Sequence, residues 1–155
     1  RHAFALHNNL FYKKWNMQLQ WISYEFNPKN PENLSEKTIL FGAFMFPFEV
    51  STKADVYTFN LANDIHINKK YLDRIKVYLN MSMVSPKHGY GSNSKQIVVG
   101  TTLIKRGLYA YFDYIFGQNM WFSGGPGIGL AHPEDETWNS RLNINFGYFL
   151  VFFFQ

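Results

Sequence analysis

The residues of this chain that could do chemistry are few, and their spacing limits what they can do. Asp64 and His66 stand two apart, which puts both on one face of an extended strand. Such a pair can orient an imidazole toward a nucleophile. No Ser or Cys is placed to be that nucleophile, so the pair reads as a structural hydrogen bond. His88 and His132 lie in turn-rich stretches with no further ligand at metal-binding spacing. There is no cysteine, so no disulfide or thiolate metal site can form. Gly124–Gly129 (GGPGIG) lacks the GK[ST] ending and the following helix of a phosphate loop, and reads as an external turn cluster. The expectation is a non-enzyme with no metal and no cofactor.

The elements that would position these residues are strands. From Trp138 onward, Leu142, Ile144, Phe146, Tyr148, Leu150, Phe152 and Phe154 alternate with Asn139, Arg141, Asn143, Asn145 and Gly147, and only Ser140 breaks the apolar row. Period two over such a length means a strand with two very different neighbours. An exposed apolar row on a soluble edge strand would aggregate, whereas lipid can cover it on a membrane barrel. The same alternation recurs over 2–11, 15–26, 55–66, 74–83, 96–104 and 108–117.

Bulk composition agrees with this pattern. Aromatic residues make up 19% of the 155, as aromatic girdles require. Mean hydropathy is only −0.24, because every second strand residue is polar. No run of roughly 18 apolar residues could cross a bilayer as a helix. The net charge of +4 comes without a basic stripe or a nucleic-acid motif, so no nucleic-acid partner is expected. Much of the positive charge sits in turns, at Lys13–Lys14, Lys69–Lys70 and Lys105–Arg106. At the last of these, Gly107 is expected to supply a positive φ.

The predicted fold is all-β: an antiparallel transmembrane β-barrel, with residues 1–155 as one domain or as the C-terminal half of one. Counting back from the C-terminus, connections alternate long (118–137), short (105–107), long (85–94) and short (67–71), as periplasmic turns and extracellular loops do. That parity makes 27–53 one long extracellular or lumen-folded excursion. Within it, Thr38–Val50 (TILFGAFMFPFEV) reads as a constriction loop with a short helix opened by Ser35 and ended by Pro47. The other reading makes 38–49 an ordinary transmembrane strand. The strand count is thus seven or eight, and an odd count points to part of a larger barrel.

The inward-facing register gives a pore-lining set. It comprises His7, Asn9, Gln18, Gln20, Asn60, Asp64, His66, Arg74, Lys76, Asn80, Thr102, Tyr109, Tyr111, Asp113, Arg141 and Asn143. Arg74, Lys76 and Arg141 outnumber Asp64 and Asp113, which reads as a weakly anion-preferring lumen.

Asn145-x-Gly147-x-x-Leu150-x-Phe152 resembles the β-signal of outer-membrane proteins, which implies recognition by the barrel assembly machinery. Phe153, Phe154 and Gln155 run past the motif, and Gln stands in place of the usual terminal aromatic. The segments 107–119 (GLYAYFDYIFGQN), 124–129 and 138–148 (WNSRLNINFGY) are similar to the closing strands of phosphate-selective (O/P-type) porins. The similarity covers about half the chain. It implies a barrel of about sixteen to eighteen strands in the outer membrane of a Gram-negative bacterium. It also implies a homotrimer surrounded by outer-membrane lipid. The expected function is a passive porin channel for small hydrophilic, anionic solutes. The family's basic selectivity ladder has no matching positions here, so none of its binding residues carries over.

Two alternatives stay open. One is an eight-strand lipid-modifying enzyme that uses His66. The other is a structural or adhesion barrel that binds a partner through 27–53, 85–94 and 118–137, with Trp121–Phe122 as anchor.

Overall fold

The computed structural model describes residues 1–30, 36–43, 46–87, 89–120 and 137–149. These residues form nine strands and no helix. They are β1 (His2–Tyr12), β2 (Trp15–Glu25), β3 (Thr38–Ala43), β4 (Phe46–Ser51), β5 (Lys53–Lys69), β6 (Leu72–Pro86), β7 (Ser94–Lys105), β8 (Leu108–Gln118) and β9 (Trp138–Tyr148). Seven of them make one antiparallel sheet in the order β1-β2-β5-β6-β7-β8-β9, and β3 and β4 pair separately. The large sheet is open, with β1 and β9 as its edges.

The period-two segments become these strands because alternating apolar and polar side chains can each meet a uniform environment only in extended backbone. The register then keeps the strands in phase. Leu19 pairs with Phe59, Phe59 with Met81, Met81 with Ile97 and Ile97 with Phe116. One face is therefore apolar across the sheet, and the other carries the polar partners.

The apolar face is the exposed one. Val99 is 52% exposed, Leu142 60% and Phe146 73%. Among the described residues the buried hydrophobics are Ala54, Ala62 and Ile104, and all three lie on the polar face. Polar atoms that fall on the apolar face find partners within the sheet. The Tyr114 and Ser140 hydroxyls bond at 3.1 Å, and Thr101 donates to the Lys76 carbonyl at 3.2 Å.

The segment 38–50 corrects the helix expected there, since it lies largely in the β3–β4 hairpin. Its β-branched and aromatic residues favour extended backbone. Pro47 is tolerated because each strand of a two-stranded sheet is an edge. The hairpin base is tied down at Ser51 and Thr52, both almost fully buried. Thr52 donates its amide to the Lys37 carbonyl at 2.9 Å, and its hydroxyl lies 3.1 and 3.0 Å from the Glu36 and Lys37 carbonyls. The Thr52 carbonyl accepts from the Phe26 amide at 2.8 Å, and that of Ser51 from the Tyr24 hydroxyl at 3.1 Å.

Turn chemistry also differs from expectation. In the β7–β8 turn the left-handed residue is Arg106 (φ 52), not Gly107. Lys13 (φ 54) does the same in the β1–β2 turn. Side chains pay about 1 kcal/mol for this backbone, where Gly or Asn would be cheaper. Gly107 is needed for a different reason: a Cβ there would come 2.7 Å from the Phe149 carbonyl oxygen.

Thr52→Val keeps the side-chain shape and removes the hydroxyl. Loss of about 1 kcal/mol at the hairpin base is expected. Limited proteolysis should then cut within 36–51 sooner, while the main sheet's thermal transition moves little. Unchanged cleavage would refute the anchoring role.

Candidate functional site

The candidate site is the polar face of the seven-stranded sheet. All sixteen residues assigned to it from the sequence share that face, as the pairings His7↔Gln20, Gln18↔Asn60, Asn60↔Asn80, His66↔Arg74, Lys76↔Thr102, Thr102↔Tyr111 and Asp113↔Asn143 require. A concavity of about 430 Å³ lies on it, lined by Gln18, Asn60, Arg74, Lys76, Asn80, Thr102, Tyr109 and Tyr111 among others.

Side chains on this face bond to one another across strands. Asn60 donates to Asn80. Asn16 donates to Asn9 at 2.6 Å, and Gln18 donates to Asn16 at 3.1 Å. Asp64 faces Arg74 at 3.5 Å, which engages its carboxylate with a guanidinium rather than with His66. The Asp64–His66 orienting pair is therefore not formed. Lys76 has no ion pair among the described residues and is an available cation on this face. Tyr109 and Tyr111 stack with their centroids 6.3 Å apart.

The densest part is a joint that sequence reasoning missed. Tyr78 of β6 and Asp113 of β8 flank Gly100 of β7 in one cross-strand row. The Tyr78 hydroxyl donates to Asp113 over the top of Gly100. Asn143 of β9 donates to the other carboxylate oxygen at 3.2 Å, so side chains from three strands join in one network that crosses a fourth, β7. Gly100 makes the crossing possible, because a Cβ there would collide with the Tyr78 ring and the Asp113 carboxylate. Tyr78 shares parity with Lys76 and Asn80, and that parity was the available signal. Nothing in the sequence marks Gly100 as lying beneath it.

At the short-turn rim, Asp73 accepts from the Lys105 ammonium and, at 2.7 Å, from the Arg106 amide. Lys105 also donates to the Lys69 carbonyl at 3.2 Å, which links two neighbouring turns. These bonds, the Lys105 one first, hold the Asp73 carboxyl below the usual carboxylate range.

Of the β-signal positions, Asn145 and Gly147 lie in β9, and Leu150 and Phe152 fall outside the described residues. His88, Trp121–Phe122, Gly124–Gly129 and His132 also fall outside them. Among the described residues no cluster of three metal-ligating side chains occurs. Comparison with protein-family models, curated proteins and solved structures finds no match to this chain.

Two outcomes are expected. Gly100→Ala should displace the Tyr78 ring and lower stability by about 1–3 kcal/mol. On a Tyr78→Ala background the same change should cost far less, and an additive double-mutant cycle would disprove the joint. The clamp on Asp73 has a defined pH sign. Its folded pKa is depressed, so its stabilisation is present above the carboxylate range and lost as pH falls below about 4. Thermal melts should show that loss in the wild type, and Asp73→Asn should remove that component.

Proposed function

We propose that this chain forms the wall of an outer-membrane channel through which small hydrophilic solutes, anions preferentially, diffuse passively. The observation that carries the reading is the inverted sheet, whose apolar face is exposed and whose polar face is the more shielded. Lipid is the solvent that would accept the first face, and a water-filled lumen would accept the second. On β6 the apolar row Ile75–Met83 is bracketed by Asp73 and Ser85. Eight residue steps at ~3.4 Å give about 27 Å along the strand, or about 19–22 Å of height at the roughly 35–45° tilt of such barrels, whose apolar band is about 25 Å tall. The shallow apolar groove of about 700 Å³ at Leu19, Trp21, Tyr57, Met81 and Ile97 would be filled by acyl chains.

A barrel needs both sheet edges paired, by further strands or further copies. The porin-like reading takes the first arrangement, with further strands of the same protein closing the barrel. On the lumen side Arg74 is engaged by Asp64, so of the two β6 cations Lys76 would contribute more to the anion preference. With the Asp64 carboxylate turned to Arg74, no observation favours the lipid-modifying enzyme.

The full-length protein, purified in detergent and added to a planar bilayer, should give discrete conductance steps. Reversal potentials should show a mild anion preference that Lys76→Glu shifts toward cations. A silent bilayer with correctly folded protein would sink the channel reading.

A further inference from the structure

The sheet order brings all three of its short turns to one rim, and two consecutive cations stand at each. They are Lys13–Lys14 between β1 and β2, Lys69 at the end of β5 with Lys70 after it, and Lys105 at the end of β7 with Arg106 after it. Two carboxylates lie near these six cations: Asp73 pairs with Lys105, and Asp64, whose amide bonds to the Lys14 carbonyl at 2.9 Å, pairs with Arg74. The other five rim cations have no ion pair among the described residues. The opposite end of the sheet carries two compact ion pairs, Glu25 with Lys53 at 2.7 Å and Asp55 with Lys87.

Two further observations bear on a ligand for the cationic rim. Lys13 and Arg106 occupy left-handed positions that Asn or Gly would fill with less strain, as Asn68 does beside the β5–β6 turn. The rim is also aromatic. The Lys13 ammonium lies 5.2 Å from the Tyr12 ring centroid, and that of Lys70 lies 5.3 Å from the ring of Tyr71, which is 80% exposed. A cation beside an exposed amphipathic ring suits the boundary between acyl chains and headgroups. It does not suit a purely polar polyanion such as a nucleic acid. The β5–β6 and β7–β8 turns are nearly level and two strands, or about 10 Å, apart, whereas the β1–β2 turn is level with Asp64 and lies about 20 Å from the β5–β6 turn. Each cation pair can therefore meet its own phosphate.

We propose that this rim docks on the headgroups of anionic phospholipid in the leaflet at the short-turn end. The proposal rests on the membrane reading and adds which lipid that leaflet presents.

The test is refolding of the full chain from urea into vesicles of phosphatidylcholine, with and without one-third phosphatidylglycerol, scored by the protease-protected fraction. At low salt the anionic vesicles should raise partitioning on the order of tenfold, and high salt should erase the gain. The double variant Lys13→Asn/Arg106→Asn should insert into phosphatidylcholine at least as well as wild type and lose most of the gain. Equal insertion of the wild type into both vesicles, or full retention of the gain by the variant, overturns the inference alone. Loss of the gain on adding inorganic phosphate at constant ionic strength assigns the cations to free phosphate and also overturns it. Insertion into neither vesicle overturns the membrane reading, and this inference with it.

Discussion

Register couples every strand of this sheet to the chemistry of both its faces. Side chains alternate with a period of two, so a slip of one residue in any pairing would turn that strand's polar set outward and its apolar set inward. Seven strands hold phase from His2 to Tyr148, with one irregularity between His66 and Lys69 near the short-turn rim. The exposed apolar surface, the shielded polar surface and the collection of turns at one rim all follow from that phase.

The polar face shows how a sheet can shield hydrophilic groups without an apolar core. Several of its amides, hydroxyls and carboxylates bond to one another across strands, which offsets their desolvation, and the buried Asp64 Oδ1 has an ion-pair contact with Arg74 in place of a hydrogen bond. The Tyr78–Gly100–Asp113–Asn143 row is the strongest case. Three side chains converge where a fourth is absent, and deleting a Cβ at Gly100 gives the hydroxyl room to reach the carboxylate. Charge on this face is not free in proportion to its count, because Arg74 is taken up by Asp64 while Lys76 is not.

The two ends of the sheet differ in how they handle charge and chain length. At the long-connection end the Thr52 hydroxyl closes the base of the β3–β4 hairpin, the Tyr24 hydroxyl and the Phe26 amide tie the Ser51 and Thr52 carbonyls to the main sheet, and ion pairs join Glu25 to Lys53 and Asp55 to Lys87. The short-turn end has two-residue connections, unpaired cations and exposed rings. There the Asp73 carboxylate, at the start of β6, bonds to Lys105 and Arg106 of the next short turn.

The sequence by itself determined where the seven strands of the large sheet lie and which residues share each face. Both follow from backbone geometry, in which neighbouring side chains point to opposite sides whatever the rest of the chain does. It also determined which connections are long and which short. Only the tertiary structure decided which residues meet across strands. It seated Tyr78 over Gly100, 22 positions later in the chain, and turned Asp64 to Arg74 instead of His66. It made 38–50 a separate hairpin rather than a helix or a wall strand, because pairing partners on both sides of the turn were available to β-prone residues. It placed the left-handed turn residue at Arg106 and kept Gly107 for the close approach of Phe149. These outcomes depend on contacts between distant segments, and the local period of a sequence carries no information about such contacts.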